Sequence, residues 1–186
     1  MDCVGWKIIT DATTEPVSAA EMKVYLRIAS TDTTYDTQLA AQIKAARKYL
    51  ERVSKRAVLT QTIEARYSKL SREIVLPITP AQSITSVKYN VNGTENTLDV
   101  DSYELWTHGT FPQIRAKYLV TYPFYADPDS VLARYIAGNT VADEVAKAIV
   151  LAMVADLFEH PEANVELTLN QNRTIERAID SYRTSI

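Results

Sequence analysis

From Val141 to Glu159 the chain reads as one helix that is apolar on almost every side. Val145, Ala146, the run Ala148–Ala155, Leu157 and Phe158 leave no wide polar stripe. At 1.5 Å per residue such a helix is ~28 Å long. Asp143, Glu144, Lys147 and Asp156 within it argue against a membrane span. A helix that is apolar all round is a buried helix. A chain of 186 residues with one other long helix and a little sheet offers few groups to cover it, which points to oligomerisation. Val145, Ile149 and Ala152 form one stripe, and Ala148, Leu151 and Ala155 a second. At least one of them is expected to be packed by another subunit or by the terminal helix. Asp156, set among apolar neighbours, is expected to pair with a basic group of its own chain or of a neighbour, because an unpaired buried carboxylate is costly.

The other long helix is predicted over Tyr35–Ser54, where Leu39, Ile43, Ala46, Leu50 and Val53 repeat at spacings of four and three. Its opposite face carries Lys44, Arg47, Lys48, Arg52 and Lys55. From Lys44 to Arg56 there are six cations and one acid, Glu51. That face reads as solvated, as matched to an acidic partner surface, or as a loose DNA contact. A single aromatic residue, Tyr49, lies among the cations, so a stacking platform for single strands is not indicated. Ser18-Ala19-Ala20-Glu21 is a capping box opening a short helix to about Leu26. Arg173–Arg183 is a last amphipathic helix with Ile175, Ala178, Ile179 and Tyr182 on one face.

Between the long helices the composition turns to β-branched residues and alternation. Strands are expected over Val58–Tyr67, Glu73–Leu76, Ser86–Val91, Thr94–Leu98, Tyr103–Trp106 and Gln113–Tyr122. Asn92-Gly93 marks a type I′ hairpin whose tip should be exposed. Phe124–Thr140 reads as a loop with Pro128 and Gly138, Pro161 as the end of the apolar helix, and Val165–Asn170 as extended. The fold class is therefore α+β: a helical core of two long antiparallel helices plus short terminal helices, with a small antiparallel β unit inserted at residues 58–122.

Chemistry-bearing patterns are scarce. His108 and His160 stand far apart, outside any metal-binding or nucleophile motif. The chain's 4 glycines are too scattered for a phosphate-cradling loop. Its single cysteine, Cys3, permits neither an intrachain disulfide nor a thiolate zinc site. Asp127-Pro128-Asp129 reads as an Asx-type turn. No catalytic, cofactor-binding or metal-ligating residue is assigned, and no enzyme activity is expected. The net charge of −3 disfavours a strongly DNA-binding protein. The absence of a secretory apolar segment leads us to expect a soluble intracellular chain, with no membrane partner. The last third, Ala126–Ile186, holds 10 acids against 5 bases, whereas Met1–Arg56 holds 9 bases against 7 acids. The two could face each other within or between subunits.

The order of these parts resembles the head–tail connector (adaptor) proteins of tailed double-stranded DNA bacteriophages, along nearly the whole chain. The resemblance is carried by Glu15-Pro16-Val17-Ser18-Ala19-Ala20-Glu21 with Val24–Ile28, and by Asp36, Leu39, Ile43 and Ala45–Glu51. It continues through Arg56–Thr62, Ile74–Pro77, Ile84–Tyr89 and Val120–Tyr122, then Phe158–Ala163 and Ala178–Arg183. Two positions depart from the family pattern. Lys55 stands where a Gly usually precedes the Arg-Ala-Leu stretch, and Pro123 follows Tyr122 where a Gly is common.

The resemblance implies a single connector domain over residues 1–186 and a structural role. Such proteins form homo-oligomeric rings, typically dodecamers, below the portal protein. They extend the channel through which double-stranded DNA passes without sequence specificity, and they dock head-closure or tail-completion proteins. The implied location is the virion neck, with assembly in the host cytoplasm. The alternatives are another neck or tail-completion protein of similar layout, or a small ligand-binding or enzymatic module. The candidate subunit-interface residues are Lys44, Arg47, Lys48, Lys55, Val145, Ile149, Ala152, Asp156, Tyr182 and Arg183.

Overall fold

The computed structural model describes residues 3–109, 111–117, 126–160 and 173–184. The chain divides into two compact units, one of Met1–Ala12 with Thr60–Asn139 and one of Thr13–Leu59 with Thr140–Ile186.

Among the described residues the first unit is all β apart from a short 3-10 turn. Its strands are β1 (Cys3–Thr10), β2 (Gln61–Tyr67), β3 (Glu73–Val75), β4 (Ala81–Val91), β5 (Thr94–Thr97), β6 (Tyr103–Trp106), β7 (Gln113–Ala116) and β8 (Val131–Ala137). A five-stranded antiparallel sheet runs in the order β1-β2-β8-β4-β5, and a three-stranded antiparallel sheet in the order β3-β7-β6. This corrects the sequence reading twice. The sheet extends beyond residues 58–122 to recruit β1, and the expected loop Phe124–Thr140 contains the central strand β8. The reason for the second is visible in the side chains. Val131, Ala133, Tyr135 and Ala137 are buried while the residues between them are half-buried, the period of two of a strand with one covered face. The expected strand end Val120–Tyr122, the stop at Pro161 and the extended segment Val165–Asn170 lie outside the described residues.

On the covered face, Ile63, Ala65, Tyr67 and Val87 are buried with β8. Two phenols tie this sheet to the segment around β3. Tyr67 Oη donates to Val75 O at 2.9 Å, and Tyr135 Oη donates to Ile78 O at 3.3 Å while accepting from Ile78 N at 3.1 Å. Burial pushes both phenols well above the usual tyrosine range, so they stay protonated and able to donate.

The β4–β5 turn is the expected one: Asn92 and Gly93 both have positive φ, 50° and 78°. Its tip is exposed but anchored. Asp127 Oδ1 accepts from Asn92 N at 3.0 Å and Oδ2 from Gly93 N at 2.8 Å. Asp127→Ala is expected to cost about 1 kcal/mol, because the freed amides are exposed and water replaces the carboxylate. Urea unfolding of the variant checks this, and a loss of several kcal/mol would show that the clamp organises more than the turn.

The second unit is helical: α1 (Ala19–Tyr25), α2 (Asp36–Ser54), α3 (Glu144–Glu159) and α4 (Arg173–Thr184). The capping box at α1 is formed. Ser18 Oγ accepts from Glu21 N at 3.1 Å, and Ser18 N donates to Glu21 Oε2 at 2.7 Å. Those bonds from Ser18 hold the Glu21 carboxyl below its ordinary value. Leu39, Ile43, Ala46 and Leu50 of α2 are buried as their spacing requires. Lys55 closes α2 in the left-handed region, with φ 58°. That conformation is least costly for glycine. Asp143 caps α3 by accepting from Val145 N at 3.3 Å. Helix α4 packs against α2 and α3 through Ile175, Ile179 and Tyr182. Among the described residues no helix is long and apolar enough to cross a membrane.

Candidate assembly surfaces

Arg47 was read as part of the exposed basic face, but it is 0% exposed. Its Nε donates to Glu15 Oε2 at 2.7 Å, and Nη2 donates to Glu15 Oε1 at 3.3 Å. Its Nη1 donates to Glu51 Oε2 at 3.0 Å. Glu51 in turn accepts from Val58 N at 2.9 Å through Oε1. The guanidinium fork thus links the segment before α1, the middle of α2 and the segment after it. A planar group with five donors suits this bidentate role. Lys23 is also nearly buried and pairs with Asp36 at the start of α2, where the helix dipole favours an acid.

With Arg47 turned inward, the exposed cations of α2 fall into one stripe: Lys44, Lys48, Arg52 and Lys55, at spacings of four, four and three. Arg52 also lies over the Tyr49 ring at 5.4 Å. Glu51, the one acid in this stretch of sequence, is buried away from the stripe.

Helix α3 is covered on one side only. Ala146, Ile149, Val150, Met153, Val154 and Leu157 are buried. On the other side Val145 is 50% exposed and Ala148 is exposed, with Leu151, Ala152 and Ala155 half-buried. Val141, just before the helix, is 70% exposed. The expected stripe of Val145, Ile149 and Ala152 is therefore split: Ile149 belongs to the chain's own core and Val145 faces out. Asp156 is half-buried. Tyr182 is buried at 2%, with the Arg56 guanidinium 4.8 Å from its ring centre, so it is a core residue and not a surface one. Burial raises its phenol pKa. Arg183 is exposed. Acids flank the open side of α3: Asp143 and Glu144 at its start and Glu159 at its end, all exposed. Glu144 pairs with Lys147 at 3.0 Å.

The β unit carries a charged row that the sequence reading missed. Lys7 of β1, Glu64 of β2 and Arg134 of β8 are register neighbours on the open face of the sheet. Lys7 Nζ lies 3.0 Å from Glu64 Oε1, and Arg134 Nη2 lies 2.6 Å from Oε2. Arg134 first and Lys7 second hold the Glu64 carboxyl below its ordinary 4.5. Glu64 therefore contributes stability that is fully present above 4.5 and is lost as the pH falls through the depressed value. Glu64→Gln is expected to be less stable than the parent at neutral pH, and the gap should close on acidification. Melting temperatures of the two proteins across the acid range check this.

Lys7 and Glu64 of this row line a groove of about 250 Å³ with Val4, Trp6, Arg66 and Leu132, a set with no nucleophile–base pair. His108 stacks edge-on to Trp106, and His160 closes α3 through contacts to Asp156 O. Among the described residues no three His, Cys, Asp or Glu side chains cluster as metal ligands.

The fold has counterparts of known setting. It is similar to a chain in the structure of the neck of an empty gene transfer agent particle computed with C6 symmetry. That match has a TM-score of 0.74 and 16% identity, over 94% of this chain and 95% of the other. A chain in the virion of a native gene transfer agent particle matches with a TM-score of 0.76 and 18% identity, over 97% and 96%. One in the native neck computed with C12 symmetry matches with 0.64 and 17%, over 92% and 94%. No protein-family model and no curated protein matches the sequence. At these identities the likeness establishes the fold: an α+β chain built like components of a phage-like particle.

Proposed function

We propose that this chain is a structural head–tail connector of a tailed, phage-like particle. It forms a homo-oligomeric ring, a dodecamer on the particle, below the portal protein. The ring extends the DNA channel and receives head-closure or tail-completion proteins. The observation that carries this reading is the fold likeness to neck chains over 94% of this chain and 95% of the other. The C6 and C12 symmetries of those necks support a closed ring. The half-covered helix α3 supports it from within, since an exposed apolar helix face marks a contact surface. In this reading residues 1–186 act as one connector domain, with α2 and α3 as the long antiparallel pair of its core. It works in the particle neck and is assembled in the host cytoplasm. It carries out no catalysis and uses no cofactor.

Co-assembly with a portal protein of the same particle tests the proposal. The chain is expected to co-sediment with assembled portal rings and to leave unassembled portal in the supernatant. Failure to bind portal rings, while binding a tail-tube or terminator protein, would favour a different neck component.

A further inference from the structure

Resting on that ring reading, we infer that neighbouring copies join their five-stranded sheets edge to edge. The outer side of β1 on one copy pairs with the outer side of β4 on the next. Both edges are open. β1 is the first strand of the sheet, and among the described residues no strand lies beyond it. At the other end β5 pairs only with Lys88–Val91 of β4, and Leu98 N then donates to Val87 O at 2.8 Å. Ala81–Ser86 of β4 have no strand on that side among the described residues. An open edge presents unpaired amides and carbonyls to other chains, and an edge that must stay single carries charge or proline. β1 lacks that protection. Its register against β2 shifts around Val4 and Ile9, and these two residues are apolar and 58% and 41% exposed. Its one charged residue, Lys7, lies 3.0 Å from Glu64 of β2.

The two edges also match face by face, because residues opposite each other across strands share a face. On the covered face, Trp6 and Ile8 of β1 stand opposite Ala65 and Ile63, and Ile84 and Val87 of β4 stand opposite Tyr135 and Ala133. On the open face, Lys7 stands opposite Glu64, and Ser83 and Ser86 stand opposite Ile136 and Arg134. A sheet continued from β1 into β4 sets apolar residues beside apolar ones and Lys7 beside serines. Cover on the apolar face stops short of both edges. Ile8 is 39% exposed and Ile84 half-buried, whereas Ile63 in the next strand is buried. Each edge supplies the neighbour that the other lacks.

Strand direction selects the partner edge. Every pair in the sheet is antiparallel, so β1, β8 and β5 run one way and β2 and β4 the other. In a sheet continued in the same sense, β1 meets β4 antiparallel. Against β5 it would be parallel, the slightly weaker pairing, over a strand of four residues. Two β1 edges brought together would close as a two-fold pair. Unlike edges pass from copy to copy and close into a ring when the rotation allows. This contact of the β units stands beside the one made by the open side of α3.

The test is disulfide trapping in the full-length chain. Cys3, the single cysteine, is first changed to Ser. Two double variants then carry Lys7→Cys with Ser83→Cys, and Lys7→Cys with Ser86→Cys; each single variant serves as a control. Lys7 and Ser83 are exposed and Ser86 is half-buried, and circular dichroism checks that every variant folds. Within one copy β1 and β4 stand three strand spacings apart, roughly 14 Å, too far for an internal disulfide. Ring formation is followed by native mass spectrometry, alone and on portal rings, before mild oxidation and a non-reducing gel. At least one double variant is expected to give a ladder of covalent oligomers longer than a dimer, and the single variants are expected to give none. Assembled rings that yield no ladder from either double variant overturn the inference and leave the ring reading standing. A covalent dimer from Lys7→Cys alone overturns it too, since that product means β1 pairs with β1. A parent chain that forms no ring under either condition contradicts the ring reading itself, and the inference falls with it.

Discussion

Arg47→Met is expected to destabilise the helical unit by about 3–5 kcal/mol, the cost of leaving a buried charge without its partner. The substitution keeps most of the side-chain volume, so the loss is electrostatic and not a cavity. Glu51, nearly buried, would lose its 3.0 Å bond to Nη1 and keep only the Val58 amide among these partners. Glu15 would lose both of its bonds to the guanidinium. Arg47→Lys should recover part of the loss, because a point charge satisfies one carboxylate but cannot fork to two. Removing the acids as well, with Glu15→Gln and Glu51→Gln, should recover more than Arg47→Lys does. Urea denaturation followed by helical circular dichroism gives the ranking. An Arg47→Met protein within 1 kcal/mol of the parent would show that the acids escape to water and that the network is weak.

The second large effect separates the two sides of α3. Ile149→Asp is expected to unfold the helical unit, since Ile149 is 4% exposed and burying a carboxylate is costly. Loss of several kcal/mol is the scale for such a burial. Val145→Asp, one turn earlier on the half-exposed side, should leave the monomer folded and block ring formation. Circular dichroism with native mass spectrometry on both variants reads the difference. A folded, assembly-competent Ile149→Asp protein would contradict the packing of α3. An unfolded Val145→Asp protein would mean that its side faces the chain's own core.

How much of this was legible in the residues follows from how local each cause is. The capping box at Ser18, the apolar spacing of α2 and the Asn92-Gly93 turn are local, and the structure has all three. Strand β8 was legible as well, in the alternation of Val131, Ala133, Tyr135 and Ala137. Nearby Pro128 and Gly138 drew the reading toward a loop. Strand β1 was harder, because its register shifts at both ends against β2 and most of it is exposed, which blurs the period of two. Arg47 shows the limit best. Its charge argued for the surface, while its partner Glu15 lies 32 residues away, and no local pattern announces that pairing. The same holds for Glu64, whose partners come from strands distant in sequence.

The candidate surfaces divide along the same line. Lys44 and Lys48 are exposed because helical spacing fixes their direction, and Lys55 is exposed at the left-handed end of the helix. Ile149 and Tyr182 were read as contact residues and prove to be core, because which part of an all-apolar helix turns inward depends on what packs there. Helices α2 and α4 supply that packing, α4 with its buried Ile175, Ile179 and Tyr182, and Val145 and Ala148 stay on the open side. Lys55, in the left-handed conformation, predicts a small gain on Lys55→Gly, about 1 kcal/mol from relieved backbone strain.

Electron microscopy of the full-length chain bound to its portal ring tests the central claim most directly. The proposed connector reading predicts a closed ring of twelve copies whose neighbours meet through the helical units. Single copies scattered on the portal, or a ring whose neighbours touch only through the β units, would contradict it.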